Sequence, residues 1–218
     1  MISLGLSTVT KTTSICLMED EQLLGEVNVK QDTVDNILEL ISLLLNSLKK
    51  QIKDIDELVV VNGPGSYAGI RIGLTTIKTI SLVNSIPIKV INSIELLAFQ
   101  CRVFRGLIVV AMEARKDEVN FGMFGGNPFN EVLPSTVIET EKLFKKIDQI
   151  KGDYIIVGDL LNIPEMFLEK FHFATPLAKD AIILAKDKSH TPLNSVAPYY
   201  SYPVNINVKS KKIELKNL

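Results

Sequence analysis

Residues 63–73 read Gly-Pro-Gly-Ser-Tyr-Ala-Gly-Ile-Arg-Ile-Gly and stand between a predicted strand and a predicted helix. The preceding run, Leu58-Val59-Val60-Val61, is apolar and β-branched, which is typical of a strand buried on both faces. Apolar spacing after the run predicts a helix from Ile70 to Asn84. Gly69 and Gly73 fall on one side of that helix. Because a glycine inside a helix costs on the order of 1 kcal/mol relative to alanine, the pattern predicts a close neighbour there.

The predicted helix is apolar on nearly every side. Its first stripe comprises Ile70, Leu74, Ile77 and Ser81, and its second comprises Gly69, Ile72, Gly73, Thr76, Ile80 and Val83. In an earlier predicted helix, Leu40 and Leu43 also project away from the core face. A helix with apolar residues all round must be covered on more than one side. We therefore predict that a partner subunit covers the second stripe and that Gly69 and Gly73 let its helix approach.

The remaining elements indicate a tandem arrangement. Strands are predicted near residues 2–9, 12–18 and 23–29, followed by a helix that Asp32 or Thr33 caps, and then by the glycine stretch and two further β and α elements. The same βββαβα order returns after residue 105 without sequence identity. The order predicts an α/β protein of two lobes with mixed sheets, residues 1–104 and 105–218. The tail from Pro203 is predicted to be a solvated extension or a last docked helix or strand.

Composition excludes several classes of protein. The 218 residues carry a formal net charge of -1, which argues against a chain-wide electrostatic grip on nucleic acid or on an anionic membrane. Cys16 and Cys101 sit in apolar runs and are predicted to be buried free thiols of a reducing compartment. No basic segment precedes the first apolar run, and no apolar run reaches the ~20 residues that span a bilayer. We expect a soluble cytoplasmic protein.

The glycine stretch also admits a phosphate-binding interpretation, because amides at a helix N-terminus bind anions. No Gly-Lys-Ser/Thr follows, however, so the spacing favours a structural turn over a nucleotide site. Ser66 occupies a turn position where a helix cap is favoured over a nucleophile. The hydroxyl-rich turn at residues 7–13 lacks a carboxylate for Mg²⁺. The charged hairpin tip at residues 113–118 is predicted to be a solvated turn, with Arg115 as an anion-binding group in the alternative interpretation.

Metal and triad chemistry find no support in the residue pattern. The histidines, His172 and His190, both lie in the second half, and neither belongs to an HExxH motif. No G-x-S-x-G elbow occurs. We therefore predict no catalytic residue and no metal ligand.

The stretch from Asn62 to Leu74 closely resembles the signature GPGSFTGLRIG of the bacterial TsaB family, also called YeaZ. Further matches are Ile86-Pro87 before a strand, Asn92-Ser93-Ile94-Glu95 at a helix start, the Ala114-Arg115 hairpin and Pro198-Tyr199-Tyr200 near the end. The resemblance covers nearly the whole chain. It implies a two-lobed actin/Hsp70/sugar-kinase fold, in agreement with the tandem βββαβα order.

The resemblance implies a non-catalytic subunit. Members pair with the related catalytic protein TsaD, together with the ATPase TsaE, in adding threonylcarbamoyl to N6 of adenosine 37 in ANN-decoding tRNAs. Pairing, and self-dimerisation through the same surface, uses first-lobe helices. The residues predicted for that interface are Leu40, Leu43, Gly69, Ile72, Gly73, Thr76, Ile80 and Val83. No cofactor of its own is expected, and ATP or ADP at the complex interface would meet Ser66, Arg71 or Arg115.

This sequence also departs from the family pattern. Leu6-Ser7-Thr8 stands where many members have Ile-Asp-Thr, which removes a carboxylate and weakens any Mg²⁺-ATP role. Ala68 replaces the threonine of the signature and lacks its hydroxyl. Two alternative functions stay open: a small actin-like ATPase or kinase that uses the hydroxyl-rich turn, and a glycoprotease-like metallopeptidase. The second requires a metal site, although the first lobe contains no histidine.

Overall fold

The computed structural model describes residues 1–30 and 36–201, which form two lobes with one five-stranded sheet each. The first sheet contains β1 Ile2–Ser7, β2 Thr12–Glu19, β3 Gln22–Lys30, β4 Glu57–Val61 and β5 Ile88–Ile91. The helices of this half are α1 Ile37–Ser47, α2 Tyr67–Asn84 and α3 Ser93–Gln100, with a 3-10 turn at Ile52–Asp54. Every residue of β4 is buried, as the apolar run from Leu58 to Val61 predicts for all but Glu57.

The second half repeats the topology of the first. Its strands are β6 Leu107–Glu113, β7 Glu118–Gly125, β8 Asn130–Glu139, β9 Tyr154–Gly158 and β10 Phe171–Phe173. Its helices are α4 Thr140–Asp148 and α5 Ala178–Ala185, with 3-10 helices at Glu165–Lys170 and Leu193–Ser195. The strand orders β3-β2-β1-β4-β5 and β8-β7-β6-β9-β10 correspond. In both sheets the first three strands are antiparallel and the last two join in parallel. The predicted two-lobed α/β fold with mixed sheets is confirmed.

The last helices of the two halves are exchanged between the lobes. Helix α3 packs on β6, β7 and β9 of the second sheet, whereas α5 packs on β1, β2 and β4 of the first. Ala178, Ala181 and Ile182 are accordingly part of the first-lobe core. A Cβ at Gly5 would lie 2.8 Å from the Ala178 carbonyl oxygen, so helix and strand are very close. Each of the two helices therefore packs on the sheet formed by the other half of the chain, and the boundary after residue 104 stays a prediction.

The structure departs from the local predictions at some elements and agrees with them at others. Helix α2 begins at Tyr67, three residues before the predicted start, because Ser66 caps it. Strand β10 was not predicted, since three residues are too short to show a period. Cys16 is buried and Cys101 is half-buried, both as free thiols, and burial raises the pKa of Cys16 to about 12. The predicted α1 caps, Asp32 and Thr33, and the tail from Pro203 lie outside the described residues.

Candidate partner-binding surface

The glycine stretch packs directly on the turn between β1 and β2. The Ser66 amide donates to the Val9 carbonyl oxygen at 2.7 Å, and the Thr8 hydroxyl donates to the Gly69 carbonyl oxygen at 2.7 Å. A Cβ at Gly69 would clash with the Thr8 backbone oxygen, and one at Gly73 would clash with Thr8 Oγ1. The prediction that these two glycines admit a partner helix is therefore wrong. They admit Thr8 of the same lobe.

The same contacts bear on the phosphate-binding interpretation. The Gly69 amide donates to Ser66 Oγ at 3.2 Å, which confirms the predicted helix cap. A Cβ at Gly65 would overlap the Val9 carbonyl oxygen, so turn and loop touch there as well. A phosphate lying between the turn and the loop would have to displace these contacts. The arrangement stabilises the start of α2 and thereby sets the position of its outer face.

An apolar surface covers the outer faces of α1 and α2. Its side chains include Leu43, Ile72 and Val83, whose exposed fractions are 63%, 38% and 75%. Leu38 and Leu82 are also more than half exposed. These exposed hydrophobic side chains lie on two helices that pack together, and exposed apolar surface on neighbouring elements marks interaction sites. The described part of the chain therefore leaves the outer faces of α1 and α2 uncovered.

A groove of about 600 Å³ runs along this surface. Its lining residues are Leu38, Tyr67, Ala68, Arg71, Ile72, Thr75, Thr76, Thr79 and Ile80. A second hollow of about 290 Å³ continues from Leu38 and Ile80 toward the ends of the helices. We refer to the 600 Å³ hollow as the α1–α2 groove.

The eight residues predicted for the partner interface are distributed unevenly over the molecule. Leu43, Ile72 and Val83 are exposed, whereas Leu40 and Thr76 are half-buried. Gly69, Gly73 and Ile80 are buried within the chain, although Ile80 contributes to the floor of the groove. Five of the eight predicted side chains are thus accessible from the outside of the first lobe.

Sequence reasoning missed the C-terminal strap, residues 196–201, which runs along α2. The Lys78 ammonium donates to the Val196 carbonyl oxygen at 3.0 Å, and the Tyr199 amide donates to the Asn62 carbonyl oxygen at 2.9 Å. The Asn62 side chain returns a hydrogen bond to the Ala197 carbonyl oxygen at 3.1 Å. The Pro-Tyr-Tyr sequence could have indicated a packed segment here, but a sequence does not reveal which distant element such a segment contacts.

The strap brings a second tyrosine to one end of the groove. The Tyr200 ring stacks on the Tyr67 ring with centroids 5.1 Å apart. Burial raises the pKa of Tyr200, and the neighbouring Tyr67 adds to the effect. Ser201 donates a short hydrogen bond to the Asn120 side chain on β7, which ties the strap to the second lobe. Residues that are far apart in the sequence therefore meet at this end of the groove.

The candidate anion contacts do not form one cluster. Arg71 lies in the groove, where its Nη1 donates to the Tyr67 hydroxyl at 3.0 Å and its guanidinium lies 5.3 Å from the ring centroid. Ser66 Oγ is engaged in the helix cap. Arg115 occupies the exposed tip of the β6–β7 hairpin in the second lobe, where its carbonyl accepts the Glu118 amide at 3.0 Å. Of the three, Arg71 alone lines the α1–α2 groove.

Neither histidine is among the described residues that line the α1–α2 groove. His190 Nε2 lies 2.8 Å from a carboxylate oxygen of Glu57, and that oxygen also pairs with the buried Lys89 ammonium at 3.0 Å. His172 is exposed on β10. Within residues 1–30 and 36–201, no three His, Cys, Asp or Glu side chains are grouped as metal ligands. The same part of the chain has no helix with both the length and the apolarity to cross a membrane.

Comparison with known proteins places the chain among tRNA-modification proteins. The model of the TsaD family, described as tRNA N6-adenosine threonylcarbamoyltransferase, matches residues 28–190. The tRNA threonylcarbamoyladenosine biosynthesis protein TsaB of Bacillus subtilis is 33% identical over 214 residues, covering 92% of this chain and 93% of that protein. The TsaB protein of Buchnera aphidicola subsp. Schizaphis graminum is 30% identical over 166 residues, covering 71% and 78%.

A solved structure has the same fold. YeaZ from Pseudomonas aeruginosa superposes with a TM-score of 0.77 at 17% sequence identity. The superposition covers 91% of this chain and 100% of that chain. The likeness therefore extends over both lobes.

Proposed function

Because the chain belongs to the TsaB family, we propose that it is the non-catalytic subunit that activates a TsaD-type transferase in threonylcarbamoyladenosine synthesis. The transferase adds threonylcarbamoyl to N6 of adenosine 37 in ANN-decoding tRNAs, and this chain pairs with it in the cytoplasm. The ATPase TsaE and the tRNA join through the resulting complex. The chain forms a self-dimer through the same surface when the transferase is absent.

The uncovered apolar face of α1 and α2 is the observation that supports this role. Leu43 and Val83 expose 63% and 75% of their surface, and exposed apolar surface of this kind is typical of binding sites. The face is carried by two packed helices and is fixed at the start of α2 by the Thr8 and Ser66 hydrogen bonds. A preformed face of this kind binds a partner without a large ordering cost.

Reconstitution tests the proposal. The full chain is combined with the TsaD-type protein of the same organism, TsaE, a threonylcarbamoyl-adenylate donor system and tRNA, and modified adenosine is measured by mass spectrometry. We expect the modification to require this chain, and Leu43→Glu or Val83→Glu to abolish both co-purification and modification. Val103→Glu is the matched control, because Val103 is 82% exposed but lies outside α1 and α2.

Three results would contradict the proposal. The first is a transferase that works equally well without this chain. The second is equal loss of activity in the Val103→Glu control, which would indicate a general effect of surface charge rather than an interface. Modification by this chain alone would show that it is itself the enzyme.

The proposal includes no nucleotide bound by the isolated chain. The ATPase or kinase alternative requires a phosphate between the β1–β2 turn and the glycine stretch, where Val9 and Thr8 already bond to Ser66 and Gly69. We therefore expect flat calorimetric titrations of the isolated chain with Mg²⁺-ATP, and any ATP or ADP response to appear only with the transferase present. A stoichiometric metal in elemental analysis would instead favour the metallopeptidase alternative.

A further inference from the structure

Arg71 is an unusual group for the α1–α2 groove. It is the one charged side chain among the described residues that line the groove, and the others are apolar or carry a hydroxyl. Among the described residues, it makes no ion pair with a carboxylate, and its contacts are the hydroxyl and the ring of Tyr67. A cation at an apolar interface is stabilised only if the partner supplies a countercharge.

The guanidinium is held in place before any partner arrives. Its hydrogen bond to the Tyr67 hydroxyl engages one nitrogen, Nη1, at 3.0 Å and leaves further N–H donors. Tyr67 is in turn fixed by its stack on Tyr200, and the strap that carries Tyr200 is anchored at Asn62 and Lys78. An arginine that is already oriented by neighbouring groups loses less conformational entropy when it binds.

We propose that Arg71 binds a carboxylate side chain of the transferase subunit, and that Tyr67 and Tyr200 position it for that contact. The inference rests on the proposed function, because it names the chemistry that the partner must present at the α1–α2 groove. Arginine pairs with carboxylates through two parallel hydrogen bonds, and arginine beside tyrosine is frequent at the energetic centres of protein interfaces. A nucleic-acid strand would require several cations along the groove, whereas the described lining residues provide one.

The test compares Arg71→Gln with the wild-type chain in binding to the transferase subunit over a series of salt concentrations. We expect the substitution to weaken binding at least about tenfold at low salt, the usual range for a charged hydrogen bond. We also expect a flatter dependence of affinity on salt, because an ion pair has been removed. Arg102→Gln is the matched control, since Arg102 also lies over an aromatic ring, that of Phe99, but outside the groove.

The positioning role of Tyr200 has its own test. Tyr200→Phe keeps the ring stack and should retain the wild-type affinity and salt dependence. Tyr200→Ala removes the stack and should move both toward the values of Arg71→Gln. A purely structural role of Tyr200 would lower stability without changing the salt dependence of binding, and would overturn this part of the proposal.

The outcomes separate the inference from the proposed function. If the wild-type chain does not bind the transferase, the proposed function fails. If the wild type binds and Arg71→Gln binds with equal affinity and equal salt dependence, the inference alone fails. If Arg71→Gln pairs normally but the complex binds ATP or ADP less tightly, the anion is a phosphate and the carboxylate assignment is overturned.

Discussion

Thr8 fills the space beside Gly73, so that a side chain on the glycine would overlap the Thr8 hydroxyl. The same hydroxyl donates to the Gly69 carbonyl oxygen at 2.7 Å and is buried. It cannot rotate away without losing that hydrogen bond. The glycine spacing of α2 is thus explained by a contact inside the lobe.

This contact predicts that the effect of Gly73→Ala on stability changes sign when the Thr8 hydroxyl is removed. Alanine is favoured over glycine in a helix by about 1 kcal/mol, but Gly73→Ala should destabilise the wild-type chain because its Cβ displaces Thr8 Oγ1. In a Thr8→Ala background, which lacks the hydroxyl, Gly73→Ala should be neutral or stabilising. Chemical denaturation of the four proteins measures the coupling.

Gly69→Ala provides the control for that cycle. The Cβ at residue 69 would meet the backbone oxygen of Thr8, which Thr8→Ala does not remove. Its destabilisation should therefore be similar in both backgrounds. A Gly73→Ala effect that is also independent of Thr8 would show that the hydroxyl contact does not explain the glycine.

Ser66 is predicted to contribute to stability and not to anion binding. Its Oγ accepts the Gly69 amide at 3.2 Å as the N-cap of α2. Ser66→Ala should lower the free energy of unfolding by about 1 kcal/mol, and Ser66→Asn should restore most of it, because asparagine also caps helices. Thermal denaturation measures both. An unchanged melting temperature in Ser66→Ala, or a loss of transferase binding that Ser66→Asn does not restore, would contradict the capping role.

The comparison of sequence and structure separates local from long-range information. The helix, the cap at Ser66 and the buried strand before the loop follow from residue spacing, and all three are confirmed. The spacing of Gly69 and Gly73 correctly predicted a close neighbour but not its identity. Periodicity shows on which side of a helix a close neighbour must lie, but it does not identify that neighbour. Here the neighbour is Thr8, about 60 residues away in the chain.

The candidate surface shows the same limit. Apolar residues all round α2 predicted a face in need of a cover, and Ile72 and Val83 are indeed exposed. The aromatic and cationic end of the groove was not predictable, because Tyr200 reaches Tyr67 from the far end of the sequence. No local pattern encodes that meeting.

Asp159 is predicted to make stability depend on pH. Burial raises its pKa above the usual 3.8, and the nearby Glu113 charge acts in the same direction. A raised carboxyl pKa gives a stability contribution that is complete below 3.8 and is lost as the pH rises through the folded-state pKa. Asp159→Asn keeps an acceptor for the Glu113 amide, which is 2.8 Å from Asp159 Oδ1. It should therefore stabilise the chain at neutral pH.

The measurement is the difference in unfolding free energy between Asp159→Asn and the wild type across pH. The gain should shrink as the pH falls through the raised pKa of Asp159 toward 3.8. The substitution Asp187→Asn, at an exposed position, serves as the control for the loss of one carboxyl group. A gain that persists unchanged at acidic pH would mean that burial of the charge is not its cause.

Because the helices are exchanged between the lobes, a substitution in α5 should destabilise the first lobe, although α5 follows the strands of the second lobe in the chain. Ile182 is buried in α5 after every strand of the second sheet, yet it packs near Gly5 of β1. Ile182→Ala should destabilise the chain by about 2–5 kcal/mol, because it leaves a cavity in the first-lobe core. Amide exchange should increase most in β1, β2 and β4. The matched substitution Ile147→Ala, in the second-lobe core, should instead affect β7 and β8, on which α4 packs. If Ile182→Ala opens the second sheet first, α5 belongs with its own half of the chain after all.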